Sequence, residues 1–204
     1  MRVPIFLIAF ILFTALLAVK RKKSTEAQEN ANEAFLERER MANATRKKDI
    51  SALPYLSFST DTLPVGEFAD DELYSCEAVL QNLTDQKIIN LSMYTNTDLK
   101  LMYGPANLAD LSSYDENYHL LTTTLLAYAR REVELDRIDA AVTILEYAMS
   151  LALDVSQIYL LLAELYQKQN TPEKIQDITD ALFVMDESFS SLVLPKLPVS
   201  HTVQ

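Results

Sequence analysis

The chain has 204 residues, 49% hydrophobic and 23% charged, which is enough apolar material for a packed core and argues against wholesale disorder. Its formal net charge of −11 is unevenly placed: residues 1–49 carry ten Lys/Arg against six Asp/Glu (+4), and residues 50–204 carry eight against 23 (−15). An acidic body of this kind repels nucleic acid and anionic lipid, and its two glycines, Gly66 and Gly104, form no P-loop or GxGxxG to cradle a nucleotide.

Val3–Val19 (VPIFLIAFILFTALLAV) is seventeen residues without a charge. As a helix it spans roughly 25 Å, slightly short of a hydrocarbon core, and Lys20 can extend it by reaching to the headgroups. Pro4 falls in the first turn, where a missing N–H costs least. The competing reading is a cleaved signal peptide, but Phe13 and Leu16 stand where cuts after Ala15 or Ala18 would need small residues. Lys20, Arg21, Lys22 and Lys23 follow at once, so residues 1–23 are expected to be a retained single-pass anchor. By the positive-inside rule the body then lies on the cytoplasmic side of the cell membrane. The alternative, a body outside, would make the sequons at Asn43, Asn82 and Asn90 relevant.

Residues 24–49 lack Pro and Gly and are rich in Ala, Glu, Arg and Lys, which predicts a juxtamembrane helix with a thin apolar stripe (Ala34, Phe35, Leu36, Met41). Residues 50–66 contain Pro54, Pro64 and a Ser/Thr cluster and read as an extended connector whose Tyr55, Leu56 and Phe58 can pack along the domain. Asp70 or Asp71 caps the next helix, with Leu73, Cys76, Leu80 and Leu83 on its apolar face. Cys76, the lone cysteine, forms no intrachain disulfide and suits a core position. Residues 87–107 are ambiguous between a short strand and a helical turn. Their polar and aromatic members Asn96, Asp98, Lys100, Tyr103 and Asn107 form a candidate special loop.

From Ala106 to Thr171 there is neither Pro nor Gly, and helix-start signals recur at helix length: Ser113 with Glu116, Asp136 with Asp139, Asp154 with Gln157, then Thr171-Pro172. These predict antiparallel helices at 114–134, 138–152, 155–169 and 172–186, within a helical domain at 67–187 and ahead of a C-terminal tail at 188–204. The tail's Pro195-Lys-Leu-Pro198 is a nominal PxxP match, and Leu192–Leu194 can dock on the last helix.

A register of 34 residues aligns the two hairpins, about 122–155 and 156–189, matching Leu125 with Tyr159, Tyr128 with Leu162, Ala129 with Ala163, and Asp136 with Asn170. Tyr159, Leu162, Ala163 and Tyr166, with Ala141, Leu145 and Ala148 from the other hairpin, resemble the tetratricopeptide repeat. Glu132 stands where that pattern has an aromatic residue, and Ile175, Thr179 and Leu182 replace its small-large-small set. The resemblance implies an all-α fold with a groove lined by the first helix of each hairpin. Its positions would be Leu126, Arg130 and Val133, flanked by Thr123 and Glu134, then Gln157, Leu160, Glu164, Gln167 and Lys168. It also implies no basic clamp for a peptide carboxylate, since Leu126 and Leu160 occupy key polar positions.

His119 and His201 are the only histidines, and no HExxH, CxxC or nucleophile elbow occurs. The sequence therefore points to no catalytic, metal or cofactor residues and no small-molecule substrate. It points to a membrane-anchored module that binds a protein partner, or alternatively to an assembly subunit that self-associates through its first 48 residues.

Overall fold

The computed structural model describes residues 5–198, without the side chains of residues 5–9, 11, 12, 15, 18, 19, 24 and 27. Every regular element among the described residues is helical, as expected for an all-α chain. The chain divides into two compact units, residues 1–52 with 93–109, and residues 53–92 with 110–204.

The first unit is built on α1 (Ile5–Ala44), a single continuous helix where the sequence suggested an anchor followed by a separate juxtamembrane helix. Nothing between the two breaks the helix: Lys22 pairs with Glu26 at 3.9 Å, and the Thr25 hydroxyl donates to Arg21 O at 3.0 Å. Among the described residues no helix is long and apolar enough to cross a membrane. The apolar run begins at Val3, and Met1–Pro4 lie outside the described residues. The uncharged part of α1 that is described, Ile5–Val19, spans roughly 22 Å.

The ambiguous segment holds neither a strand nor a helix over residues 88–94, and its only α-helix begins at Asn96. Ile88, Ile89 and Leu91 are buried in extended chain of the second unit, where Ile89 N–H donates to Tyr114 O (3.2 Å) and Leu91 N–H to Asp115 Oδ1 (2.7 Å). The chain then forms α3 (Asn96–Tyr103) in the first unit. Its N-cap is Thr95, whose hydroxyl accepts from Asp98 N–H while the Asp98 carboxylate accepts from Thr95 N–H, a reciprocal capping box. Arg38 and Glu39 of α1 pair with Asp98 and Lys100 of α3, and just beyond the end of α1 Lys48 N–H donates to Tyr103 O. Gly104, at φ +88°, closes this contact. A Cβ there would sit 2.6 Å from Arg46 O, so only glycine fits.

In the second unit Asp70 caps α2 (Asp71–Leu83), accepting from Glu72 and Leu73 N–H. The helices α4 (Leu108–Glu134), α5 (Ile138–Ser150), α6 (Ser156–Lys168) and α7 (Ile175–Phe183) follow. α4 starts earlier than its sequence signal because the Gly104-Pro105 break is followed directly by a 3-10 turn at Pro105–Asn107, which feeds the helix. Ser113 and Glu116 are therefore interior positions, not a capping box. Asp136 and Asp154 do not open helices either. Asp136 takes φ +58° after α4, and Asp154 accepts from Asn90 Nδ2 (2.8 Å) and from the Tyr118 hydroxyl.

α4 and α6 end alike. After α4, Arg137 N–H donates to Glu132 O and Asp136 N–H to Val133 O. After α6, Thr171 N–H donates to Tyr166 O and Asn170 N–H to Gln167 O. These are two Schellman turns whose left-handed residues, Asp136 and Asn170, are 34 positions apart (170 − 136). The core between them holds fully buried Tyr128, Leu145, Tyr159, Leu162 and Tyr166.

The expected tail is instead α8 (Glu187–Val193), because Asp186 caps it through Ser188 and Phe189 N–H. Val193 is fully buried and Leu194 half-buried, whereas Leu192 faces solvent. Phe189 meets Tyr159 edge-on at 5.6 Å.

Candidate functional site

The residues expected to line a groove lie on α4 and α6, and part of the set comes together. The Arg130 guanidinium donates to Gln157 Oε1 at 2.8 Å, bridging the two helices. Beside it, Leu126 and Gln157 share a hollow of about 360 Å³ with Thr122, Thr123, Val155 and Ser156. Leu126 forms its floor rather than its rim, being 7% exposed. Val133 and Leu160 are half-buried against the core, and Glu164 and Gln167 are exposed. Lys168 does not join this hollow. It lines a larger cleft of about 680 Å³ with Arg137, Asp139 and Gln169, walled on the other side by Asp61–Pro64 of the connector.

The candidate special loop has a different role. Asn96 is exposed on α3, but Asp98 meets Arg38 at 2.5 Å, and Lys100 meets Glu39 at 3.0 Å, with Thr97 also donating to Glu39. Asn107 is fully buried and donates to Lys48 O (2.8 Å) and Tyr103 O (2.7 Å). Tyr103 O also accepts from Lys48 N–H at 3.0 Å. Of the polar residues that looked like a free surface, Asp98 and Lys100 hold α3 to α1, and Asn107 ties the end of α3 to the chain that follows α1. Their alternating polar pattern belongs to a short helix whose partner is more than fifty residues away in sequence.

Sequence reasoning missed a buried polar cluster in the second unit. Glu77 lies on the buried stripe of α2, four residues after Leu73 and three before Leu80. Its Oε1 accepts from Gly66 N–H at 2.9 Å and sits 3.0 Å from the Tyr128 hydroxyl, which is equally close to Pro64 O. Glu132, fully buried on α4, accepts from Arg137 Nε at 2.7 Å, while Arg137 also reaches Glu67 at 3.1 Å and stacks over Phe68 at 5.1 Å. Together these groups pin residues 64–68 of the connector to α2, α4 and the start of α5. Glu132 Oε1 has no hydrogen-bond partner, and burial pushes this carboxyl above its ordinary range against the opposing pull of Arg137. Burial likewise raises the Tyr128 hydroxyl and the Cys76 thiol. The signal was available for both acids, since each occupies an apolar helix stripe where an ionisable group needs a partner.

The cluster has two parts, Glu77 accepting from Gly66 N–H and the Tyr128 hydroxyl, and Arg137 shared between Glu132 and Glu67. Among the described residues no group of three His, Cys, Asp or Glu side chains could hold a metal ion. The chain matches no protein family, no curated protein and no solved structure.

Proposed function

We propose that this protein is a membrane-anchored protein-interaction module, held by its N-terminal apolar helix with the acidic body on the cytoplasmic side. The anchorage rests on the uncharged run Val3–Val19 and on Lys20–Lys23, exposed cations at the level where headgroups would lie. The interaction reading rests on one observation above others: α4 and α6 end in the same turn 34 residues apart and are bridged by Arg130 and Gln157 beside an apolar-floored hollow. Repetition of this kind suits the tetratricopeptide-like arrangement, in which the first helices of successive hairpins make the binding face.

The test places a photo-crosslinking residue at Gln157 or Glu164 in the full chain, in its native membrane, with Thr143 on α5 as control. The same discrete adduct from both α6 positions and none from Thr143 is the expected result. Equal labelling from all three positions would refute a groove. Protease added to intact cells tests the orientation, since a cytoplasmic body is spared.

A second reading, self-association through the first unit, is favoured by the exposed Phe35, Leu36 and Met41 of α1. It requires the full chain in lipid to be oligomeric and Phe35→Ser with Leu36→Ser to make it monomeric.

A further inference from the structure

Where α7 gives way to α8, the second unit has an apolar hollow that the described residues leave open. α7 turns Ile175, Ile178 and Leu182 into the core. The next two residues leave it: Phe183 is 69% exposed and Val184 85% exposed. Phe183, Met185 and Leu194 form the apolar side of a hollow of about 310 Å³, with Glu187, Ser190 and Ser191 on its polar side. The walls are built, not incidental. Asp186 caps α8, the Ser190 hydroxyl ties α8 back to Leu182 O and Asp186 O, and Phe189 is braced on Tyr159. An exposed Phe-Val pair beside a preformed hollow marks a surface that gains by being covered.

The charges around it select the cover. Glu187 lines it, Asp186 next to Glu187 in sequence is exposed, and so is Asp180, one turn before Phe183 on α7; among the described residues none of the three is ion-paired. Of the cations near it in sequence, Lys174 is paired with Glu146 at 3.1 Å and Lys196 lies on the 3-10 turn after α8.

We propose that this hollow docks a basic amphipathic helix of another protein, seating an apolar residue against Phe183, Met185 and Leu194 and placing Lys or Arg against Asp180, Asp186 and Glu187. A second copy of the chain is the poorer occupant, because a two-fold contact through this patch sets the three carboxylates against themselves. The surface is separate from the α4/α6 groove and stands without it.

The full chain in nanodiscs of uncharged phosphatidylcholine is titrated with two labelled helical peptides, one of Leu and Lys, the other of Leu and Glu, and binding is read by fluorescence anisotropy. The Leu/Lys peptide binds saturably and the Leu/Glu peptide does not. Phe183→Ser weakens the Leu/Lys peptide by more than about tenfold, whereas Arg130→Ala in the other groove leaves it unchanged. Asp180→Lys with Glu187→Lys reverses the preference between the peptides. These side chains are exposed, so an unchanged melting temperature verifies the fold of each variant. Equal binding of both peptides, or indifference to Phe183→Ser, overturns the proposal. So does a wild-type dimer that Phe183→Ser dissolves, which assigns the hollow to a second copy. Binding gained only on removing Val199–Gln204 overturns it too, by assigning the hollow to the chain's own terminus.

Discussion

Asp70 and Glu132 are both carboxylates beside an arginine, yet their surroundings push them in opposite directions. At Asp70 the Arg131 guanidinium donates at 2.6 and 3.1 Å, and the N–H groups of Leu73 and Glu72 add to it, holding the carboxyl down at about 2. A depressed carboxyl stabilises the fold above its unfolded value of 3.8, and that contribution is lost as pH falls through about 2. The wild type should therefore melt above Asp70→Asn by a constant margin at neutral pH, and the margin should shrink between those two values. At Glu132 burial dominates and the carboxyl is raised. Its contribution is fully present below the unfolded value of 4.5 and is lost as pH rises through the folded one. Melting curves of the wild type and Glu132→Gln should accordingly converge, or move in favour of the wild type, as pH falls from neutral toward 4.5. A margin that grows in favour of the glutamine variant on acidification would contradict this account. Ala152 offers a third residue-scale test. It holds φ +52° after α5, a conformation that disfavours a Cβ, so Ala152→Gly should stabilise the second unit by about 0.5–1 kcal/mol in chemical denaturation.

At the scale of elements, helix identity was more legible than helix boundaries. The 3.6-residue spacing located the helices of both hairpins, but Thr171-Pro172 opens a 3-10 turn without a cap from the Thr171 side chain, and α7 begins only at Ile175. Boundaries failed where an acidic residue had two possible roles. Asp136 looks like an N-cap in sequence, but the preceding helix ends in a left-handed residue, and Asp and Asn tolerate that conformation. Asp154 was claimed by Tyr118 and Asn90, contacts that local spacing cannot reveal. α3 was obscured for a similar reason: at eight residues it is too short for a periodic signal, and its stability comes from α1. Gly104→Ala tests that dependence. A methyl 2.6 Å from Arg46 O must separate the two helices, costing about 2–3 kcal/mol, and hydrogen exchange should quicken in α3 before it does in α5 and α6.

For the whole molecule, composition described the charge economy well and the candidate sites only in part. The excess of acid is not uniformly idle: Arg131, Arg137 and Lys174 each engage carboxylates that would otherwise be unpaired. Of the expected groove, Arg130, Gln157 and Leu126 assemble, whereas Lys168 serves another cleft, because it is the last residue of α6 and stands roughly 16 Å farther along the helix than Gln157. Glu77 escaped notice and Glu132 stood out only as a departure from the repeat pattern, because pattern reading assigns acids to solvent by default. An interrupted apolar stripe deserves the opposite reading when an arginine follows within five residues, as Arg137 follows Glu132.

The seating of α3 against the C-terminal part of α1 has a mechanical consequence. From Lys20 to the fully buried Ala42, α1 is an unbroken shaft of roughly 33 Å, gripped at one end by the ion pairs to Asp98 and Lys100. Under the proposed anchorage its other end turns with the bilayer, so a change of tilt of about 10° would sweep the gripped end sideways by about 6 Å. With that anchorage, an unbroken helix of this length would convert a change in bilayer thickness into lateral displacement. Inserting two glycines at Asn30 would make it a loose tether, removing that displacement while leaving the grip on α3 intact.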